Sequence, residues 1–477
     1  MSDPTSLDAA ALSQAIHTRA VSCREVMQAY LDRIERLNPR VSAIVSLQDQ
    51  ERLLAQADER DSQLARGQWL GWMHGFPIAV KDLAATAGIR TTLGSPLLRE
   101  FVPAEDAIVV ARMKAAGAIV IGKTNTPEFG LGSQTYNNVF GATGNAYDPS
   151  KTCGGSSGGA AVAVALRLVP VADGSDMMGS LRNPAAYNNV LGFRPSFGRV
   201  PAGPAPEIFL QQLSTDGPMA RTATDLGLLL ATQAGADPRA PLSIPEDPAS
   251  FAAPLAGDFK GTRIGWLGDL GGHLPFEDGI LPLCRGTLSL LSDFGCVVED
   301  VALGFPPERL WTAWCGLRSW LVSGRLNELY AVPAKRKQIK PEAIWEIENG
   351  LAMKASEVLE LSRVRSAWYQ RLRVLFETYD FLALPTAQVF PFDVTLHWPR
   401  EVAGRRMDTY HRWMEVVVPA SLSGCPTINV PVGFGANGLP MGMQIIGPHR
   451  ADLAVLQLAY AHEQATGWVM KRPPALG

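Results

Sequence analysis

The chain has 477 residues, 47% of them apolar, and 43 Lys and Arg against 46 Asp and Glu give a formal net charge of −3. That length holds one large α/β domain or about three average ones. The mixed charge supplies no basic stripe for nucleic acid and no like-charged tail, and the apolar runs break before the ~18 residues of a membrane span.

The opening MSDPTSLDAAALSQ is polar and acidic, unlike a signal peptide. The six cysteines form no C-x-x-C pair and suit thiols in a reducing cytoplasm. Ser22-Cys23-Arg24-Glu25 predicts a capping box, and Val26, Tyr30 and Ile34 then mark one helical face. FPIAV (76–80) reads as a buried strand ending at Lys81. A helix over 106–116 closes on Gly117, and AIVI (118–121) is a second buried strand. After the Gly/Ser stretch at 154–159 come a helix to about 167 and a strand near 169–173. Further along, helix is expected at 224–234, 279–293, through about 305–375 and at 451–465. Strands are expected at 262–267, 296–302, 381–385, 427–432 and 441–447. Such alternation implies an α/β fold with a mainly parallel sheet between helices on both faces. The Pro-rich stretch 236–256 is the best linker candidate and bounds an insertion more readily than a second domain.

Three motif matches carry little chemistry. Gly117–Thr124 fits G-x-x-x-x-G-K-[ST], but its variable positions are themselves a strand, whereas a phosphate loop needs a turn after a strand and before a helix. His462-Glu463 begins like a zinc-protease motif, yet Thr466 stands where the second histidine belongs, and no metal is called for. Gly154–Gly158 fits the G-x-S-x-G elbow, but NAYDPSKTCGG leads into it with turn chemistry instead of a strand.

A second serine, Ser180 in VADGSDMMGSLRNPAA (171–186), follows a strand and a small-residue turn. Arg182 and Pro184 favour irregular backbone after it, and such a turn can aim several N–H groups at one oxyanion. Lys81, at the end of an apolar strand, is poorly hydrated, and desolvation lowers a lysine toward the neutral base. Taken singly, Lys81 reads as a strand-end charge, Ser156 as a helix N-cap and Ser180 as a turn serine.

Together, Lys81 in AVKD, Ser156 in GGSSGG and Ser180 in GSDMMGSLRNPAA, at intervals of 75 and 24 residues, strongly resemble the amidase signature family of serine hydrolases. GKTNTPEFG, DPSKT, GCPTINVPVGF and LPMGMQIIGP extend the resemblance along nearly the whole chain, most weakly at about 235–380. The resemblance implies one domain over 1–477, with a central mixed, mostly parallel sheet and 235–380 as a variable region shaping the substrate entrance. It implies Ser180 as nucleophile, Ser156, after a cis peptide from Gly155, as proton relay, and Lys81 as base. The backbone amides of Met177, Met178, Gly179 and Ser180 would form the oxyanion hole. Asp176 and Arg182 would brace the loop, and Asn125, Ser133 and Tyr136 would lie near the site, holding loops together.

The chain departs from the family at Met177-Met178, where Thr-Gly is usual. A hydroxyl is missing at 177, and at 178 a side chain that avoids positive φ replaces one that tolerates it. Met177 and Met178 either narrow the acyl pocket or pack into the core. In LWTAWCGLRSWL (310–321), Leu310, Trp314, Leu317 and Leu321 share a helical face, which reads as core or, through Trp314, as a wall of the substrate pocket. The reading is a cytoplasmic amidase acting on a small-molecule amide with no cofactor, no nucleic acid and no membrane; family resemblance also allows a homodimer. The alternatives are a glutamine-hydrolysing subunit of an amidotransferase complex and a non-catalytic homologue.

Overall fold

Ser22 caps a helix as its spacing predicts: its Oγ accepts from the Glu25 amide at 3.1 Å, and Glu25 Oε2 accepts from the Ser22 amide at 2.8 Å. The helix runs Cys23–Val41 and buries Val26, Tyr30 and Ile34. The computed structural model describes residues 3–476, and Met1, Ser2 and Gly477 lie outside the described residues.

Two sheets organise the chain. Ile44–Val45 (β1), Pro77–Lys81 (β2) and Ile119–Thr124 (β3) form a small one in the order β1-β3-β2. The larger contains Ala172–Asp176 (β4), Leu191–Arg194 (β5), Thr215–Ala220 (β6), Arg263–Trp266 (β7), Val297–Asp300 (β8), Phe381–Pro385 (β9), Thr427–Phe434 (β10) and Pro440–Ile446 (β11). Its order is β8-β7-β9-β11-β10-β5-β6-β4, with helices covering it on both faces. The sheet is mixed. The pairings point β6 to β10 one way and β4, β5 and β11 the other. Parallel hydrogen-bonded neighbours lie along the β8-β7-β9 edge, and the short turn from β10 to β11 closes a hairpin that only antiparallel strands can make.

Three local expectations change. The strand expected near 169–173 starts at Ala172, since Pro170 has no N–H for a ladder, and it continues through Gly174-Ser175-Asp176. The irregular backbone expected after Ser180 is instead a short helix, Arg182–Tyr187. Pro184 is its third residue, where an N–H would have no intrahelical acceptor, so the ring costs the helix nothing there. The Pro-rich 236–256 stretch is no free linker: Phe251 and Leu255 are buried in the main core.

The strand reading of the Walker-like string holds. Lys123 lies buried in β3, with Nζ on Ala84 O at 2.6 Å and Thr86 Oγ1 at 2.8 Å. Among the described residues no helix is long and apolar enough to cross a membrane, and no group of three His, Cys, Asp or Glu is placed to hold a metal.

Candidate active site

The Gly/Ser string is glycine-rich because backbone passes within contact distance on every side. Gly154 adopts φ +75°, and a Cβ there would stand 3.0 Å from Pro184 Cα. A Cβ on Gly159 would meet Ala43 O at 2.6 Å and Asn125 O at 2.8 Å. This close approach draws Gly158–Ala165 (α1) against β1 and β3 and delivers two serines, across a cis Gly155–Ser156 peptide, to the end of β2. The N-cap position falls on Ser157, yet its side chain makes no capping bond. Its hydroxyl is engaged by Lys81 instead.

Lys81 closes β2 with its side chain turned into the protein, 1 % exposed. Nζ lies 2.8 Å from Ser156 Oγ, 2.7 Å from Ser157 Oγ and 3.0 Å from Ser175 Oγ. Burial strips the ammonium of water and pulls it down from 10.5 to about 7; Asp216, Asp173 and Asp176 resist that fall only in part. The Lys81 amide also donates to Asp173 Oδ1 at 3.1 Å, which ties the small sheet to β4. Burial pushes the Asp173 carboxyl up, and burial with the Asp173 charge raises Asp216 to about 7.

Ser180 sits just past β4, and its carbonyl accepts from the Ser157 amide at 3.2 Å, so the two serine-bearing segments share a backbone bond. At 6 % exposed, Ser180 is more open than Ser156 (3 %) or Lys81, which places it outermost of the three. Asp176 organises the turn before it. Its carboxylate accepts from the Gly179 amide at 2.8 Å, the Leu181 amide at 3.1 Å and the Arg182 guanidinium at 3.0 Å. Burial alone would raise the Asp176 carboxyl; Arg182 and Arg194 reverse that and hold it far below the usual range. Arg182 continues to Gln444 Oε1 at 2.6 Å and Ser421 Oγ at 2.7 Å. The bracing role expected of Asp176 and Arg182 is thus present in full.

The four amides expected at the oxyanion hole divide. Gly179 N–H is spent on Asp176, whereas those of Met177, Met178 and Ser180 donate to no acceptor among the described residues. Gly179 takes the positive φ of the turn (+77°), and Met178 does not, so the methionine at 178 is accommodated without backbone strain. Met178 is buried and Met177 partly so. A Cβ on Gly179 would lie 3.0 Å from Val417 Cγ1, so the wholly buried Val417 packs directly against this turn. Near Ser156, Gly130 and Leu83 supply a further apolar edge.

Trp314 is wholly enclosed within Pro307–Ala331 (α2), its Nε1 without a partner among the described residues. Trp320, on another face of α2, borders a cavity of about 520 Å³ with Phe197, Leu210, Leu321 and Arg325. Arg325 reaches Phe129 O at 3.0 Å, next to Gly130, so this cavity adjoins the segment beside Ser156. Asn125 and Tyr136 do tie loops: Asn125 Nδ2 donates to Thr143 Oγ1 at 3.0 Å, and Tyr136 OH to Glu342 Oε1 at 3.4 Å. Ser133 is buried with its backbone against Gly155, where a Cβ would come 3.1 Å from Ser133 C. Ser157, Ser175, Asp173 and Asp216 were missed by the sequence reading. The doubled serine of GGSSGG and the acidic DGSD were the available signals.

A family model described as Amidase matches residues 25–456. The chain belongs to the amidase signature family. Family membership makes it a serine amidohydrolase. It is 33% identical to a glutamyl-tRNA(Gln) amidotransferase subunit of Thermosynechococcus vestitus, over 96% of this chain and 99% of that one. Among solved structures, a bacterial aryl acylamidase of the amidase signature family superposes with a TM-score of 0.91 at 29% identity, covering 97% of this chain and 96% of that one. The corresponding amidotransferase subunit of Thermotoga maritima gives 0.78 at 26% identity, with 97% and 96% covered.

Proposed function

We propose that this amidase hydrolyses a carboxylic amide to an acid and an amine or ammonia, alone and through an acyl-enzyme on Ser180. The observation that carries the reading is Lys81 Nζ, buried, pulled down to about 7 and 2.8 Å from Ser156 Oγ. A neutral lysine has two N–H donors and one lone pair. Ser157 and Ser175 can take the donors, which leaves the lone pair for the Ser156 hydroxyl proton.

In the proposed mechanism Ser180 Oγ attacks the amide carbon while its proton passes to Ser156 and that of Ser156 passes to Lys81. The Met177, Met178 and Ser180 amides supply free donors for the oxygen that becomes charged; Gly179 would join them only by leaving Asp176. Collapse breaks the C–N bond, and Lys81 returns a proton through Ser156 to the departing nitrogen. Water then enters by the same relay and releases the acid.

Close superposition on the aryl acylamidase and the apolar side chains of Met177 and Leu83 beside the serines support a stand-alone amidase over a glutamine-dependent component of a complex. The 33% identity to the Thermosynechococcus vestitus amidotransferase chain favours the second reading, in which the protein would work on glutamine within a complex. Purified protein assayed alone on simple anilides and on glutamine decides between them. Release of arylamine supports the first reading, and ammonia from glutamine only when partner subunits are added supports the second. A chain that takes no fluorophosphonate label would be a non-catalytic homologue.

A further inference from the structure

We propose that Glu346 closes the acyl side of the site to anionic groups by neutralising Arg318, so that the substrates are amides of uncharged acids. The inference rests on the amidase reading and names its substrate class.

Arg318 projects from α2, and its Nη1 lies 3.3 Å from Met177 Sδ, on the loop that leads into Ser180. The guanidinium is 3 % exposed. A buried cation at that position would ordinarily be a recognition group for a substrate carboxylate. Here the charge is already answered. Arg318 Nε donates to Glu346 Oε1 at 2.6 Å, and Nη2 to Tyr410 OH at 2.7 Å. Tyr410 OH donates in turn to Glu346 Oε1 at 2.7 Å, and Ser319 Oγ to Glu346 Oε2 at 2.5 Å. Glu346, on Pro341–Ala352 (α3), is fully buried, so the pair cannot be screened or loosened by water.

Tyr410 and Glu346 more than offset the burial of Arg318 and hold it charged. His411 stacks on Tyr410 at 4.5 Å, and burial together with Arg318 and Arg412 keeps it uncharged, so it adds no cation. Only Nη1 has neither a carboxylate nor a hydroxyl partner, and it meets the Met177 thioether, a weak acceptor. A substrate carboxylate arriving beside Met177 would lose its water and find a cation whose partner is 2.6 Å away and also negative. A neutral acyl group loses nothing comparable. Glu346 thus acts through Arg318 and Met177 as a positioning residue.

The test uses two succinic mono-4-nitroanilides that differ only in the acyl terminus, one a carboxylate and one the primary amide, read by nitroaniline release. The wild type is expected to show kcat/KM at least tenfold higher for the primary amide. Glu346→Gln frees the Arg318 charge and shifts that ratio toward the carboxylate by tenfold or more, whereas Glu346→Asp keeps the wild-type preference. Tyr410→Phe, which keeps the ion pair, moves the ratio less. Equal rates on the two anilides in the wild type overturn the proposal whether or not any variant folds, as does a folded Glu346→Gln with an unchanged ratio. Failure of the wild type to hydrolyse any of the three, 4-nitroacetanilide and the two succinyl anilides, overturns the stand-alone amidase reading and this inference with it.

Discussion

Between pH 5 and 9 the rate should follow the deprotonation of Lys81. With the ammonium pulled from 10.5 to about 7, the neutral fraction is about 10 % at pH 6 and about 90 % at pH 8. On an anilide that does not itself ionise, kcat/KM should therefore climb tenfold per pH unit below 7 and flatten above 8. A lysine at its ordinary value would keep the rate rising steeply through pH 9. Asp216→Asn provides the sign control. Where Asp216 is ionised, above about pH 7, its charge favours the ammonium and holds Lys81 up; removing it lowers Lys81 there and moves that part of the profile to lower pH. The assay is initial-rate nitroaniline release in buffers of constant ionic strength, with label uptake by Ser180 checked at each pH. A flat profile from pH 5 to 9, or a shift to higher pH in Asp216→Asn, refutes Lys81 as the base.

Ser180→Ala should lower kcat by roughly 10⁴-fold or more and abolish fluorophosphonate labelling; labelling at the wild-type rate would reassign the nucleophile. Ser156→Ala should cost about 10²–10³-fold in kcat with KM little changed, as expected for a lost proton relay, and a loss under threefold would remove it from the path. Ser175→Asp would place a carboxylate where a hydroxyl now stands 3.0 Å from Lys81 Nζ, holding the ammonium charged. Activity at pH 7 should then fall and partly recover by pH 9, while neutral Ser175→Asn shows no such recovery. Gly159→Ala drives a Cβ toward Ala43 O and Asn125 backbone and should destabilise by about 3 kcal/mol, in the range of overpacked cores; a thermal midpoint within about 1 °C of wild type, far less than such a loss implies, would show that the loops yield.

Much of this architecture is written in local pattern. The FPIAV run ends in a strand at Lys81 because β2 is buried along its whole length, and the capping box of Ser22 and Glu25 forms from neighbours in sequence. The motifs around Lys81, Ser156 and Ser180, through their resemblance to the amidase signature family, point to one shared site. Hidden from the sequence was everything set by long-range register. Gly174-Ser175-Asp176 has turn composition, yet it is strand because β6 pairs along it, Ser175 opposite Asp216. That register brings Asp216 toward Lys81, although they lie far apart in the chain. Arg318 and Glu346 were hidden for the same reason: each is one charge among many on helices, and only the packing of α2 on α3 makes them a pair.

The arrangement of charge explains why, in the proposed mechanism, Lys81 is the base and its buried neighbour is not. Lys123, drawn down to about 8, lies in the adjacent strand, but its ammonium is held by a carbonyl and a threonine with no serine pair in reach. Lys81 has three carboxylates in its surroundings, yet none within salt-bridge distance among the described residues. Asp176 is committed to Arg182 and Arg194, and Asp173 accepts the Lys81 amide instead of meeting its ammonium. Had any of the three paired directly with Nζ, the proton would be held and the base lost. The buried Arg182 and Arg194 therefore do more than brace the turn after β4: by occupying Asp176 they keep a strong counter-charge off Lys81. The uncharged amine that the proposed chemistry requires thus depends on ion pairs in which it takes no part.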